Sequence, residues 1–153
     1  MDMFKATVTF SQIAVFNSNL DEPFNDWNED HFNQGFAWRQ ESVSFKTLSN
    51  DEVMEVEFVQ PASFALRTDS VRAITVPFLC NQYGEIEVAT ITNSHPIKLE
   101  PGKYQLVFET VQLNVATWCH ISAVLDGSMD PDILIIDADL SPQYPLLMHA
   151  QAA

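Results

Sequence analysis

Asp21, Glu22, Asp26, Glu29 and Asp30 place five carboxylates within ten residues, and no Lys or Arg occurs between Lys5 and Arg39. A helix capped by Asn25 or Asp26 would set Asp26, Glu29 and Asp30 at i, i+3 and i+4, projecting from one face. Like charges at that spacing repel by about a few tenths of a kcal/mol per pair. Carboxylates that repel one another with no local cation to relieve them suit the attraction of a cationic surface. The same acids also fit a solvated face whose first turn complements the helix dipole. Trp27 and Trp38 flank the stretch, with Phe24, Phe32 and Phe36 between them. Tryptophans beside acids suit interface anchors, or pins that hold a short helix on the body of the protein. The three phenylalanines read as core.

Other chemistries have little to build on. His31, His95, His120 and His149 are scattered. Cys119 and His120 are adjacent, so on a strand they point to opposite faces and cannot form a nucleophile–base pair. The glycines Gly35, Gly84, Gly102 and Gly127 form no phosphate-cradling loop, and no G-x-S-x-G occurs. Asp126, Asp130 and Asp132 in the DGSMDPD loop supply oxygen donors, but not at calcium-loop spacing. No catalytic residue, metal or other cofactor is expected. From Tyr104 to Ala153 there are six acids and no Lys or Arg, a second acidic region able to join the first in space.

The elements that must position these residues read as strands. Thr7 to Phe16, Ser42 to Phe45, Val53 to Phe58, Arg72 to Phe78, Glu85 to Ile91 and Lys103 to Val111 alternate with period two and are rich in Val, Ile, Thr and Phe. Such alternation marks antiparallel sheets with one face on a core. Asn81 to Gly84 reads as a hairpin loop and Pro101-Gly102 as a turn. Trp118 to Leu125 is a further apolar strand, and Ile133 to Asp137 a short buried one. The expected fold is an all-β, single-domain antiparallel β-sandwich over residues 1–140, with seven to nine strands at about ten-residue spacing. One short helix, stopped at Gly35, is expected after the first strand. The tail, 141–153, is expected to be loosely ordered at its end.

Composition narrows the function classes. The 153 residues carry 21 Asp and Glu against 7 Lys and Arg, a net charge of −14. Such a chain is repelled by nucleic-acid phosphates and anionic membranes, so direct binding to either is not expected. With 11 Phe, 3 Trp and 3 Tyr, it has enough apolar mass to fold rather than stay disordered. No basic segment followed by an apolar run marks a signal peptide, and no window approaches about 20 apolar residues. Cys80 and Cys119, each inside an apolar run, read as reduced core thiols of a cytoplasmic protein.

A series of patches in order, over about residues 8 to 138, resembles the competence protein J family, small inhibitors of the competence-associated DNA-entry nuclease. They are SQIAVF (Ser11 to Phe16), Asp26-Trp27 with Gly35-Phe36-Ala37, Val43-Ser44-Phe45, Val76-Pro77-Phe78, GKYQL (Gly102 to Leu106) and Ile135-Ile136-Asp137. The resemblance implies a small non-enzymatic domain that binds and blocks a DNA-degrading nuclease; a toxin-type nuclease, with this chain as its immunity protein, is equally compatible. The residues agree. A nuclease presents a cationic cleft to hold phosphate, and an inhibitor that covers it needs carboxylates against that cleft and desolvated anchors for tight binding. The candidate partner-binding residues are therefore Asp21, Glu22, Asp26, Glu29 and Asp30, with Trp27 and Trp38 as anchors. The alternative is a carbohydrate- or small-ligand-binding β-sandwich with an aromatic platform on a concave sheet face.

Overall fold

A computed structural model describes residues 2–48, 52–112 and 117–153. The elements run β1 (Asp2–Val8), β2 (Gln12–Asn17), α1 (Glu29–Gln34), β3 (Phe36–Arg39), β4 (Ser42–Lys46), β5 (Glu52–Val59), β6 (Arg72–Cys80), β7 (Glu85–Ala89), β8 (Ser94–Lys98), β9 (Gly102–Gln112), β10 (Thr117–Leu125) and β11 (Asp132–Ile135). They form a six-stranded sheet, β1-β5-β10-β9-β6-β11, and a five-stranded sheet, β3-β4-β2-β7-β8. Among the described strands β5 and β10 pair in parallel, and the other pairs are antiparallel.

The all-β sandwich expected from the alternation is the observed architecture, with eleven described strands. The inward residues of the two sheets make one core, in which Phe45 of β4 stacks on Phe108 of β9 at 4.7 Å between ring centroids. Burying each such ring contributes about 1.5–3 kcal/mol. Cys80 and Cys119 lie in this core as free thiols. Cys119 is buried while its neighbour His120 is on the opposite face, 3.1 Å from Glu57.

Three local readings change in the folded chain. The run Thr7 to Phe16 is two strands, because Phe10 and Ser11 adopt positive φ (57° and 55°) and turn the chain from one sheet into the other. The helix therefore follows β2. The turns at Asn81–Gly84 and Pro101–Gly102 form, but they also pass between sheets, from β6 to β7 and from β8 to β9, and so close no hairpin. The stretch from Ile133 begins in β11, the edge of its sheet among the described strands, which buries Ile133, and Ile136 just beyond it is exposed.

The outer face of the five-stranded sheet carries a small second cluster of Ala14, Phe16 and Ala89, which Leu20 and Phe24 cover. The segment after β2 is thus held down by its own apolar side chains. A polar staple joins the two sheets to the chain beyond β11. The fully buried Arg72 guanidinium donates through Nε and Nη2 to both oxygens of Asp137 (2.9 and 2.8 Å) and through Nη1 to the carbonyl of Lys46 (2.8 Å). The Asp139 carboxylate lies 3.5 Å from Arg72 and 3.3 Å from Lys46 Nζ.

Residues 141–153, where a loose end was expected, carry several contacts. Ser141 N–H donates to the Asn33 carbonyl, Leu147 N–H to Gln34 Oε1, and Ala153 N–H to the Phe24 carbonyl. Asn25 and Ala152 form an antiparallel bridge, and Leu146 and Ala150 are buried. No described helix is long and apolar enough to cross a membrane.

Candidate functional site

The acidic segment is positioned by its polar backbone anchors. Buried Asn25 donates through Nδ2 to the carbonyls of Ala37 and Ser42 and accepts from Arg39 Nε. Arg39 also donates to the carbonyl of Glu22 (2.6 Å), and Ser42 Oγ donates to that of Pro23. Burial pushes the Arg39 guanidinium below its usual pKa, opposed by the nearby Glu22 charge. These bonds tie residues 22–25 to β3 and β4, so Asn25 is consumed as a clasp and does not cap the helix.

The cap is Asn28. Its Oδ1 accepts from His31 N–H (3.0 Å), and its own N–H donates to His31 Nδ1 (3.1 Å), a capping box closed by histidine. His31 Nε2 donates to the His149 carbonyl (2.8 Å), so its two partners specify the Nε2–H tautomer and pin the tail to the helix. Gly35 ends the helix at φ 89°, as its sequence position predicts. The expected helix started too early. Glu29 and Asp30 occupy its first turn, but Asp26 precedes the cap, so Asp26 does not share a helix face with them. The N–H of Asp26 donates to the Gln151 carbonyl (2.7 Å).

Asp21, Glu22, Asp26, Glu29 and Asp30 are all exposed. None forms an ion pair with a described cation. Lys46 and Arg72 are instead drawn inward to Asp137 and Asp139, and Arg67 pairs with Asp69. The inward pairing leaves Asp21, Asp26, Glu29 and Asp30 as surface charge outside the described ion pairs, while Glu22 lies near the Arg39 guanidinium. From the second acidic region, Asp139 meets Lys46 through both its backbone carbonyl and its carboxylate.

The two tryptophans are placed apart. Trp27 is half-buried, donates through Nε1 to Gln12 Oε1 (3.3 Å) and meets the His31 ring edge-on at 6.3 Å. It lies between two surface recesses, one of about 360 Å³ and one of about 210 Å³. Trp38 lines a separate recess with Gln40, Phe78 and Lys103, and its Nε1 donates to the Pro77 carbonyl (2.7 Å), joining β3 to β6.

Two aromatics that composition and periodicity do not single out flank Trp27. Phe32, read as core, is 51% exposed, with Lys46 Nζ 3.6 Å from its ring centroid. Phe36 is buried and Phe24 half-buried. Phe10 is 75% exposed and stands in the positive-φ turn. A left-handed backbone costs a non-glycine residue about 1–2 kcal/mol, and Asn-Gly is the usual occupant of such a turn. The larger recess is lined by Phe10, Gln12, Asn25, Asp26, Trp27 and Phe32, with Lys46 at its base. These exposed rings stand on a turn and a helix rather than on a concave sheet face, unlike the platform a carbohydrate-binding sandwich presents.

Glu57, His120 and Glu109 lie in register across β5, β10 and β9. Buried Glu109 accepts from Arg67 N–H and Ser70 Oγ, which closes the 60–71 loop over it. Asp126, Asp130 and Asp132 are exposed, and among the described residues no group of three His, Cys, Asp or Glu could hold a metal ion.

The family model described as Competence protein J (ComJ) matches residues 5–124. The crystal structure of ComJ, inhibitor of the DNA degrading activity of NucA, from Bacillus subtilis, superposes with a TM-score of 0.72 at 23% identity, covering 82% of this chain and 96% of that one. At that identity the likeness establishes the shared fold. No curated protein matches the chain.

Proposed function

This chain belongs to the competence protein J family, and we propose on that basis that it is a non-enzymatic inhibitor of a DNA-degrading nuclease. It acts by stoichiometric occlusion: the face built from Asp21, Glu22, Asp26, Glu29 and Asp30, with Trp27 at its centre, covers the cleft in which the nuclease grips phosphate. The observation that carries this reading is the partition of charge. The five acids stand exposed and outside the described ion pairs, with Arg39 near one of them, Glu22, while Lys46 and Arg72 are turned inward. An acidic face of this kind repels DNA and attracts the basic surface that binds DNA, and opposite fields accelerate encounter.

The division of labour follows from desolvation. Exposed carboxylates govern approach and orientation, because salt screens them over about 8–10 Å. Residence on the nuclease requires apolar anchors that exclude water. Trp27 and its neighbours fit that role, whereas Trp38 supports the junction of the sheets. The inhibitory unit is residues 1–140, acting in the cytoplasm, with 141–153 clamping the helix in place. A toxin-type nuclease would be met through the same face, with the chain serving as its immunity protein.

The test mixes the purified chain with a DNA-degrading nuclease of the competence type and follows DNA digestion against the molar ratio. Digestion should stop near equivalence, and undiminished digestion at molar excess would remove the proposal. Reversing Asp26, Glu29 and Asp30 to Lys should slow association by about tenfold or more at low salt and flatten its salt dependence. Unchanged kinetics would clear that segment of the role.

A further inference from the structure

The exposed Phe10 is difficult to explain from within the chain. Its ring is 75% exposed, so it gains little from burial, yet its backbone holds a positive φ that disfavours bulky residues. Strain that a protein's own contacts do not repay points to use by something outside it. The ring lines the same recess as Trp27 and Phe32, and the recess also presents the Asp26 carboxylate and Gln12. Its lining therefore holds three aromatic side chains, one acidic residue, Asp26, and one basic residue, Lys46.

We infer that this recess receives one arginine side chain of a basic protein partner. Three features select that occupant over others. With Lys46 paired to Asp139, Asp26 leaves the recess a negative charge that favours a cation. Aromatic faces favour a guanidinium, which is planar and weakly hydrated, over a strongly hydrated ammonium. A carboxylate at the edge accepts the guanidinium's paired N–H groups. The chain's own Lys46 already places its ammonium over Phe32, so the recess tolerates a cation against its aromatic wall. Lys46 is held on the Asp139 carboxylate and the carbonyls of Phe32 and Asp139, which offsets its charge toward a second cation. This inference deepens the proposed function and rests on its cationic partner, but it can be tested without the nuclease.

The probes are N-acetyl-arginine methylamide, its lysine analogue and its leucine analogue, titrated into the full chain while the Trp27 indole N–H signal is followed by NMR. That signal is assigned by its disappearance in Trp27→Phe. The arginine probe should shift it saturably, with a smaller shift from lysine and none from leucine. Equal shifts from arginine and lysine would reduce the effect to bulk charge attraction and overturn the inference. A larger shift from leucine, or no saturable shift from any probe, would overturn it as well. Phe10→Asn supplies the second arm. Asn suits the turn, so this variant should keep the native amide spectrum, melt about 2–4 °C higher and lose the arginine shift. Retention of the shift in a folded Phe10→Asn protein would overturn the inference. In the digestion assay Phe10→Asn should inhibit more weakly than the parent. Full inhibition by Phe10→Asn, with inhibition abolished by the Asp26, Glu29 and Asp30 reversal, would overturn the recess while leaving the acidic face in place.

Discussion

Replacing Asp137 by Asn should be among the most damaging conservative changes in this chain. Arg72 is fully buried, and two of its donors, Nε and Nη2, are matched to the two oxygens of Asp137 at 2.9 and 2.8 Å. The asparagine amide keeps the shape but removes the charge and turns one acceptor into a donor facing a donor. Breaking a buried pair by removing one partner costs about 3–5 kcal/mol, because the remaining charge stays desolvated. The Asp137 side chain is about one-fifth exposed, and Asp139 waits 3.5 Å from Arg72. Both features favour the low end, about 3 kcal/mol. For a chain of this size each kcal/mol lowers Tm by about 2–4 °C, so the expected loss is about 6–12 °C. Near-UV circular dichroism on heating, with a parallel urea titration at constant m, would measure it. Asp139→Asn is the comparison: it leaves the buried Lys46 ammonium to the carbonyls of Phe32 and Asp139, but the Asp139 side chain is 60% exposed, so its loss should be smaller than that of Asp137→Asn. The paired change Arg72→Met with Asp137→Leu should regain much of the stability, since an apolar pair removes the stranded charge. An Asp137→Asn melting point within 2 °C of the parent, or equal to that of Asp139→Asn, would refute the reasoning.

Two further outcomes follow from the packing. Gly35→Ala should destabilise by more than about 1 kcal/mol, because the residue sits at φ 89° and an added Cβ would approach Ile74 Cδ1 at 3.0 Å and Leu140 Cδ2 at 3.1 Å; an unchanged urea midpoint would contradict this. Burial raises the pKa of the Cys80 thiol, and of Cys119 more strongly, so the native protein at pH 8 should resist thiol reagents until it unfolds. The sign for stability follows: the unfolded thiols lose protons first, so this contribution holds below the unfolded thiol pKa and fades as pH rises through the folded one. One rapidly labelled equivalent in the native state would contradict the burial argument.

The candidate site was only partly legible. Acidity and the presence of Trp27 are properties of composition, and they survive folding because none of the five acids joins an ion pair among the described residues. The helix start was misplaced because Asn25, a good cap by type, is taken by the carbonyls of Ala37 and Ser42, and Asn28 closes the box with His31 instead. Phe32 reads as core from its type, an aromatic suited to pin a short helix on the sheet. A helix of six residues, already anchored through His31, Gln34 and the tail, has no need to bury a third side chain.

Period-two alternation by itself determined that this chain is a sandwich, since the alternation states which side of each strand faces apolar neighbours before any neighbour is chosen. Turn chemistry likewise placed the reversals at Asn81–Gly84 and Pro101–Gly102, because φ and ψ preferences act within a few residues. Tertiary structure alone decided which strands those reversals would join, that β5 would run parallel to β10, and that Phe10, Trp27 and Phe32 would share one recess. Those outcomes depend on contacts between residues far apart in the chain, where many pairings satisfy the same local pattern and only the summed burial and hydrogen bonding of the whole selects one.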